Sequence, residues 1–270
     1  MRHRWVTFTL LAAVSGSLLV ATGCTTEASR TGSGSRVVPE KPVPDVVRRM
    51  IEAHGGMDAW RTAPSVRFTE RWGEAAATRV AVEQGTRRVY MEVPGTRSRM
   101  AWDGERAWSI EWRGAPPRFL AQLNYYFLNL PWLSMDPGVK LGEPGTGLLR
   151  DDPTSYSTVM MTFDEGVGDT PGDYYELYIH PETHLLEACR YVVTYKALLP
   201  PGSKHTPDHI LVFDEHETVN GLVVPTRFTV YEMDHSVYAR CSITDWSFDQ
   251  PFDATMVTMP AGAVVDTTTP

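Results

Sequence analysis

Residues 209–248 decide the fold, and they read HILVFDEHETVNGLVVPTRFTVYEMDHSVYARCSITDWSF. The stretch predicts three β-strands rich in β-branched and aromatic residues, at 209–218, 222–232 and 237–248. Asn220-Gly221 is a strong signal for a two-residue hairpin turn, and Asp234-His235-Ser236 marks the next turn. Strands joined by such short connections are antiparallel neighbours.

The same pattern extends toward the N-terminus. In residues 65–72 apolar and polar side chains alternate with the period of two that a strand requires. Seven further strands are predicted, at 78–83, 87–93, 96–102, 106–112, 155–163, 174–180 and 185–195. The total of about eleven strands predicts a mainly β protein with one large antiparallel sheet, which must curl or close. No alternation of strands and helices is present, so doubly wound α/β folds are excluded.

Two helices are predicted beside the sheet. The first begins after Pro44, ends at Gly55-Gly56, and repeats its apolar residues Val46, Val47, Met50 and Ile51 at helical spacing. The second lies in residues 118–135, RFLAQLNYYFLNLPWLSM, which carry no charge after Arg118. Pro131 is expected to end it.

The second helix, over 119–130, is apolar nearly all round, so it must be buried on most sides. It is too short and too broken to span a membrane. We expect it to cover the concave face of the sheet, either as a permanent plug or as a lid over a ligand cavity. The candidate cavity or lid residues are Phe68, Trp72, Phe119, Leu123, Tyr126, Phe127, Leu130 and Trp132.

The N-terminus has the pattern of a secretory signal. Residues 1–23 combine a basic start with an apolar run, and 24–44 are a Ser-, Thr-, Gly- and Pro-rich stretch typical of a flexible tether. The ending Ala21-Thr22-Gly23-Cys24 resembles a bacterial lipobox. The resemblance implies cleavage before Cys24, which becomes the acylated membrane anchor, and an outer-membrane location in a bacterium with two membranes. The alternative is an ordinary signal peptide with a chance cysteine.

Several stretches of the body resemble the LolA/LolB-like superfamily of lipoprotein-sorting proteins. They are His54-Gly55-Gly56 with Ala59-Trp60, the hairpin VNGLVVPTRF at 219–228, and Leu133, Asp136, Pro137 and Gly138 after the inner helix. The resemblance covers roughly residues 43–260, as an uncharacterised family of bacterial envelope lipoproteins. It implies an unclosed β-barrel that holds an acyl chain or another apolar ligand, and it brings no catalytic residue with it.

Composition and residue spacing disfavour several classes of function. The chain has 25 basic and 33 acidic residues, a net charge of −8, which disfavours nucleic-acid binding through phosphates. The histidines at 205, 209, 216 and 235 are not spaced as a metal site, so no metal or cofactor is expected. Cys189 and Cys241 are expected to be buried free thiols. Glu70 is either a buried acid paired with Arg79 or Arg106, or a group in water.

The sequence therefore predicts a β domain over 45–262, followed by a C-terminal tail over 263–270. The leading hypothesis is a lipid-anchored envelope protein that binds an acyl chain, a lipid or a lipoprotein, without enzyme activity. The first alternative is an envelope interaction module whose core is permanently filled. The second alternative is a hydrolase or metal-dependent enzyme that uses the polar residues of 205–217. The sequence does not determine the oligomeric state.

Overall fold

The computed structural model describes residues 43–270; the predicted signal, most of the predicted tether and Cys24 lie outside the described residues. The helices within this range are α1 Asp45–Ala53, α2 Met57–Thr62, α3 Pro117–Leu128 and α4 Leu130–Leu133, with short 3₁₀ turns at Lys196–Leu198 and Ala254–Val257. None of these helices is long and apolar enough to cross a membrane.

The strands follow one another along the chain with few interruptions. In order they are β1 Ser65–Trp72, β2 Thr78–Glu83, β3 Val89–Glu92, β4 Arg99–Trp102, β5 Ala107–Ile110, β6 Val139–Leu141, β7 Gly145–Leu149, β8 Asp152–Phe163, β9 Tyr174–Ile179, β10 Leu186–Val192, β11 His209–Val219, β12 Leu222–Glu232, β13 Val237–Ser247 and β14 Val264–Val265. All eleven predicted strands are present, and β6, β7 and β14 are additional.

These strands form one antiparallel sheet within residues 43–270. Its order is β14-β5-β4-β3-β2-β1-β13-β12-β11-β10-β9-β8-β6, with β7 also paired to β8. The end strands β14 and β6 do not pair with each other, so the sheet is unclosed. This is the mainly β, unclosed architecture that the sequence predicts.

The sheet curls around α3. Strands β4 and β9 are eight steps apart in the sheet, which would separate them by about 38 Å if it were flat. Nevertheless α3 contacts both: Arg118 lies 5.0 Å over the Trp102 ring of β4, and the Tyr126 ring lies 5.4 Å from the Tyr175 ring of β9. A helix is only about 10–12 Å wide, so the sheet wraps around it. The predicted helix on the concave face is therefore present.

Two of the three stretches that carried the family resemblance meet in space. His54 bridges two strands: its Nδ1–H donates to the Val223 carbonyl at 2.8 Å, and its Nε2 accepts from the Leu186 backbone N–H at 3.0 Å. Gly55 has a φ of 98°, and a Cβ there would lie 2.2 Å from the carbonyl oxygen of Gly221. Gly221 itself forms the β11–β12 hairpin turn with a φ of 82°. The glycine at 55 is therefore required by contact with the Asn-Gly hairpin.

The C-terminal residues after 262, predicted as a tail, pack against the β domain. Strand β14 pairs with β5, through Val264 opposite Ser109. The Asp266 carboxylate accepts from the Arg118 backbone N–H at 2.9 Å, at the start of α3. Pro116 and Pro117 open that helix without a side-chain cap, so Asp266 supplies the missing acceptor and a favourable charge.

Candidate functional site

A cavity of about 240 Å³ lies between α3 and the curled sheet. Its walls come from one face of α3, from strands on both sides of it, and from the connection between β8 and β9. The apolar lining residues from the sheet and its loops include Val89, Trp102, Val139, Phe163, Val167, Tyr175 and Tyr195. A ligand pocket with mostly apolar walls and a few polar groups has this character.

One stripe of α3 faces the cavity. Phe119, Gln122, Leu123 and Tyr126 recur at the i, i+3, i+4, i+7 spacing that places side chains on one helical face. All four are half-buried. Phe119 also packs against Tyr195 with ring centroids 5.1 Å apart. The predicted residues Phe119, Leu123 and Tyr126 therefore line the cavity.

The other predicted residues belong to the packed core. Phe127 contacts Tyr191 with ring centroids 4.6 Å apart, Leu130 is fully buried, and Trp132 stacks on Trp60 at 5.8 Å. Pro131 does not end the segment; it lies in the first turn of α4. The plug interpretation thus fits one face of the 118–135 segment, and the cavity interpretation fits the other.

Phe68 and Trp72 lie on the concave face of β1 but outside the cavity lining. Phe68 packs on Trp246 at 4.9 Å, and Trp72 packs on Phe228 at 5.2 Å. The β1 strand lies near the middle of the sheet, opposite the core-facing side of α3. The curl therefore brings other strands, and not β1, to the cavity.

Ion pairs form the polar part of the cavity wall. Arg118 binds Asp169 with two hydrogen bonds, from Nε at 2.5 Å and from Nη2 at 2.7 Å. Gln122 donates to the same carboxylate at 3.2 Å. Arg87 donates to Asp136 at 2.6 Å. Paired in this way, each guanidinium is held in place by a carboxylate.

Two further polar groups of the wall are buried. Asp173 is almost fully buried and accepts hydrogen bonds from the hydroxyls of Thr170 and Thr194 and from the Thr194 backbone N–H. Burial raises the pKa of its carboxyl above the usual value. The Tyr126 hydroxyl is buried without a hydrogen-bond partner within the described residues, and burial raises its pKa. An unpartnered buried hydroxyl loses about 1–3 kcal/mol of solvation unless a ligand or water supplies a partner.

Glu70 connects the sheet to α3 beside this site. It is only 4% exposed, and it accepts a hydrogen bond of 2.7 Å from the Asn124 side-chain amide. The prediction that Arg79 or Arg106 pairs with Glu70 is wrong, since Arg79 pairs with Glu92 and Arg106 pairs with Asp103. Burial raises the pKa of the Glu70 carboxyl to about 8, against the smaller lowering effects of the Trp72 and Asn124 hydrogen bonds.

The histidines and cysteines of residues 43–270 do not line the cavity. His216 contacts His54 with ring centroids 5.9 Å apart, whereas His209 lies 3.5 Å from the Glu232 carboxylate. Over residues 43–270 no group of three or more His, Cys, Asp or Glu side chains converges as a metal site would require. Cys189 and Cys241 are buried free thiols, as predicted from the sequence.

The sequence prediction missed the charged wall and the 164–173 connection. Its members are far apart in the chain: Arg118 and Asp169 are separated by 51 residues, and Arg87 and Asp136 by 49. The sequence did indicate which face of β9 is turned inward. Tyr175, Leu177 and Ile179 alternate along this strand, and all three are buried.

Comparison with known proteins gives similarity to solved structures alone. No family model matches the chain, and no curated protein matches it. It is similar to a LolA superfamily protein from Nitrosomonas europaea (11% identity, TM-score 0.47, covering 79% of this chain and 97% of that one). It is also similar to a DUF1329 family protein from Desulfovibrio piger (12% identity, TM-score 0.47, covering 80% and 98%). A third is the lipoprotein LppX of Mycobacterium tuberculosis (11% identity, TM-score 0.26, covering 77% and 97%).

Proposed function

We propose that the protein binds an apolar ligand in the cavity beside α3, as a carrier or receptor and without catalysis. The observation that carries the proposal is the void itself: a stripe of Phe119, Leu123 and Tyr126 faces about 240 Å³ of space instead of packed side chains. A concave pocket with mostly apolar walls and a few polar groups is the usual form of a small-molecule site. This volume equals roughly eight water molecules at about 30 Å³ each, so it suits a single slender chain.

The experiment is a pair of matched substitutions. Leu123→Trp places a large side chain in the cavity, whereas Leu148→Trp makes the same change at a β7 position that is 66% exposed. We expect Leu123→Trp to abolish binding of an apolar fluorescent probe while Leu148→Trp leaves it unchanged. Equal binding by both variants, with both folded by circular dichroism, would refute the proposal.

We further propose that Cys24 anchors the protein to a membrane of the cell envelope through acyl groups. The lipobox-like residues before Cys24 support this. One acyl chain gives only reversible membrane binding, so more than one chain is expected. Cys24→Ser should move the protein from the membrane fraction to the soluble fraction. Unchanged membrane association of this variant would contradict an acyl anchor.

A second function is favoured by the other face of the same segment. Leu130 and Trp132 are fully buried, as in a module whose core is permanently filled. Such a module would act through its surface as an interaction partner in the envelope. Mass spectrometry of lipid extracts from protein purified without detergent separates the two functions, because the filled module carries no stoichiometric apolar molecule.

A further inference from the structure

We propose that the cavity selects uncharged single-chain amphiphiles, such as fatty alcohols or esters, over fatty acids and other anionic lipids; this rests on the proposed function. The inference comes from the charges of the cavity wall. Three carboxylates and two guanidiniums line it, belonging to Asp136, Asp169, Asp173, Arg87 and Arg118. With all five ionised, the wall has a formal charge of −1.

Neither arginine offers an anionic head group an unpaired charge. Arg118 presents two N–H groups to Asp169, and its guanidinium also covers the Trp102 ring at 5.0 Å. Arg87 is bound to Asp136 at 2.6 Å. A ligand carboxylate or phosphate could reach only the N–H groups that these bonds leave over, and there it would lie close to the paired carboxylate and be repelled by its charge.

A cationic head group has no free acid to meet either. The Asp136 and Asp169 carboxylates already face arginines, and the Asp173 carboxylate accepts hydrogen bonds from two threonine residues. Because each charged group of the wall is already satisfied, a charged ligand gains little there and loses its hydration.

The Tyr126 hydroxyl is a group of this wall whose hydrogen-bonding capacity is unused by residues 43–270. It is buried, it has no partner within the described residues, and it belongs to the cavity-lining stripe of α3. A phenol both donates and accepts hydrogen bonds, so a hydroxyl or an ester carbonyl on the ligand suits it. The geometry therefore points to an apolar chain whose uncharged head hydrogen-bonds Tyr126.

The test compares three ten-carbon probes that differ in charge: 1-decanol, decanoate and decyltrimethylammonium. Each competes with an apolar fluorescent dye for the purified protein. We expect decanol to bind at least tenfold more tightly than either charged probe. Decanoate or the cation binding as tightly as decanol would overturn the inference and leave the proposed function standing. Failure of the dye to bind would refute the proposed function itself, and the inference with it.

Two variants test the roles of the residues. Tyr126→Phe should weaken decanol binding about fivefold without changing dye binding; an unchanged decanol affinity would overturn the role of the hydroxyl. Asp169→Asn should release Arg118 and improve decanoate binding about tenfold. Asp164→Asn is the matched control, because Asp164 pairs with Lys140 and does not line the cavity. A folded Asp169→Asn variant that still excludes decanoate would overturn the charge argument.

Discussion

The buried carboxyl of Glu70 should make stability depend on pH, and Glu70→Gln should remove that dependence. The folded protein holds this proton up to about pH 8, whereas an unfolded chain releases it near the ordinary value of 4.5. The folded state thus binds more protons between these values. The free energy of unfolding therefore falls by about 1.4 kcal/mol for each pH unit as the pH rises from 4.5 to 8.

Glutamine reproduces the neutral form of Glu70. It can accept from Asn124 as the acid does, and it can also donate to the Asn124 side-chain oxygen, which is buried without a partner within the described residues. Integrated over the titration, the variant should be more stable than the parent by about 4 kcal/mol at pH 8 and by under about 1 kcal/mol at pH 5. For a domain of this size, the gain at pH 8 raises Tm by roughly 8–16 °C.

Urea unfolding from pH 5 to pH 8 measures this difference directly. Burial lowers the pKa of His54 to about 4, so the free energy of unfolding also decreases as the pH falls below 6.5. This decrease is the same in both proteins. Subtracting the free energies of unfolding of the two proteins therefore isolates the contribution of Glu70. Glu105→Gln, at an exposed position between β4 and β5, is the matched control for the same substitution on the surface. Parallel curves for Glu70→Gln and the parent would refute the assignment of a protonated buried acid.

Three other predictions concern the frame around the cavity. Gly55→Ala should destabilise the fold by more than about 2 kcal/mol in urea unfolding, because the added Cβ would meet the Gly221 carbonyl. Gly85→Ala is the control and should change stability little, because a Cβ there meets open space and the φ of Gly85 is not positive. Deleting residues 263–270 should lower Tm by roughly 4–8 °C, since β14 and the cap of α3 are lost; an unchanged Tm would show that this segment is dispensable. Trp132→Ala should cost about 3–5 kcal/mol as a core truncation, and a loss below 1 kcal/mol would contradict a permanently packed face.

Local patterns were sufficient to predict most of the sheet. Alternation along β1 and the Asn220-Gly221 turn depend on neighbouring residues, and both are present as expected. Two of the three missed strands, β6 and β14, are three and two residues long, too short to show a period, and each pairs with a strand that does not follow or precede it directly along the chain.

The site was predicted only in part, for a physical reason. The helical stripe Phe119, Leu123 and Tyr126 is local to α3, and the sequence displays it directly. Which strands lie opposite that stripe depends on the curl of the whole sheet, and this placed Phe68 in the core. The pairing of Arg118 with Asp169 depends on the same long-range geometry.

The central claim is that an apolar chain occupies the space beside α3. Photo-crosslinking tests it most directly: a ten-carbon alcohol carrying a diazirine is irradiated with the protein, and labelled peptides are mapped by mass spectrometry. We predict labels on the peptides that contain Leu123, Phe163 and Tyr175, removed by excess 1-decanol. Labels confined to exposed apolar residues such as Leu148 and Tyr238, or labels that decanol does not displace, would contradict the account.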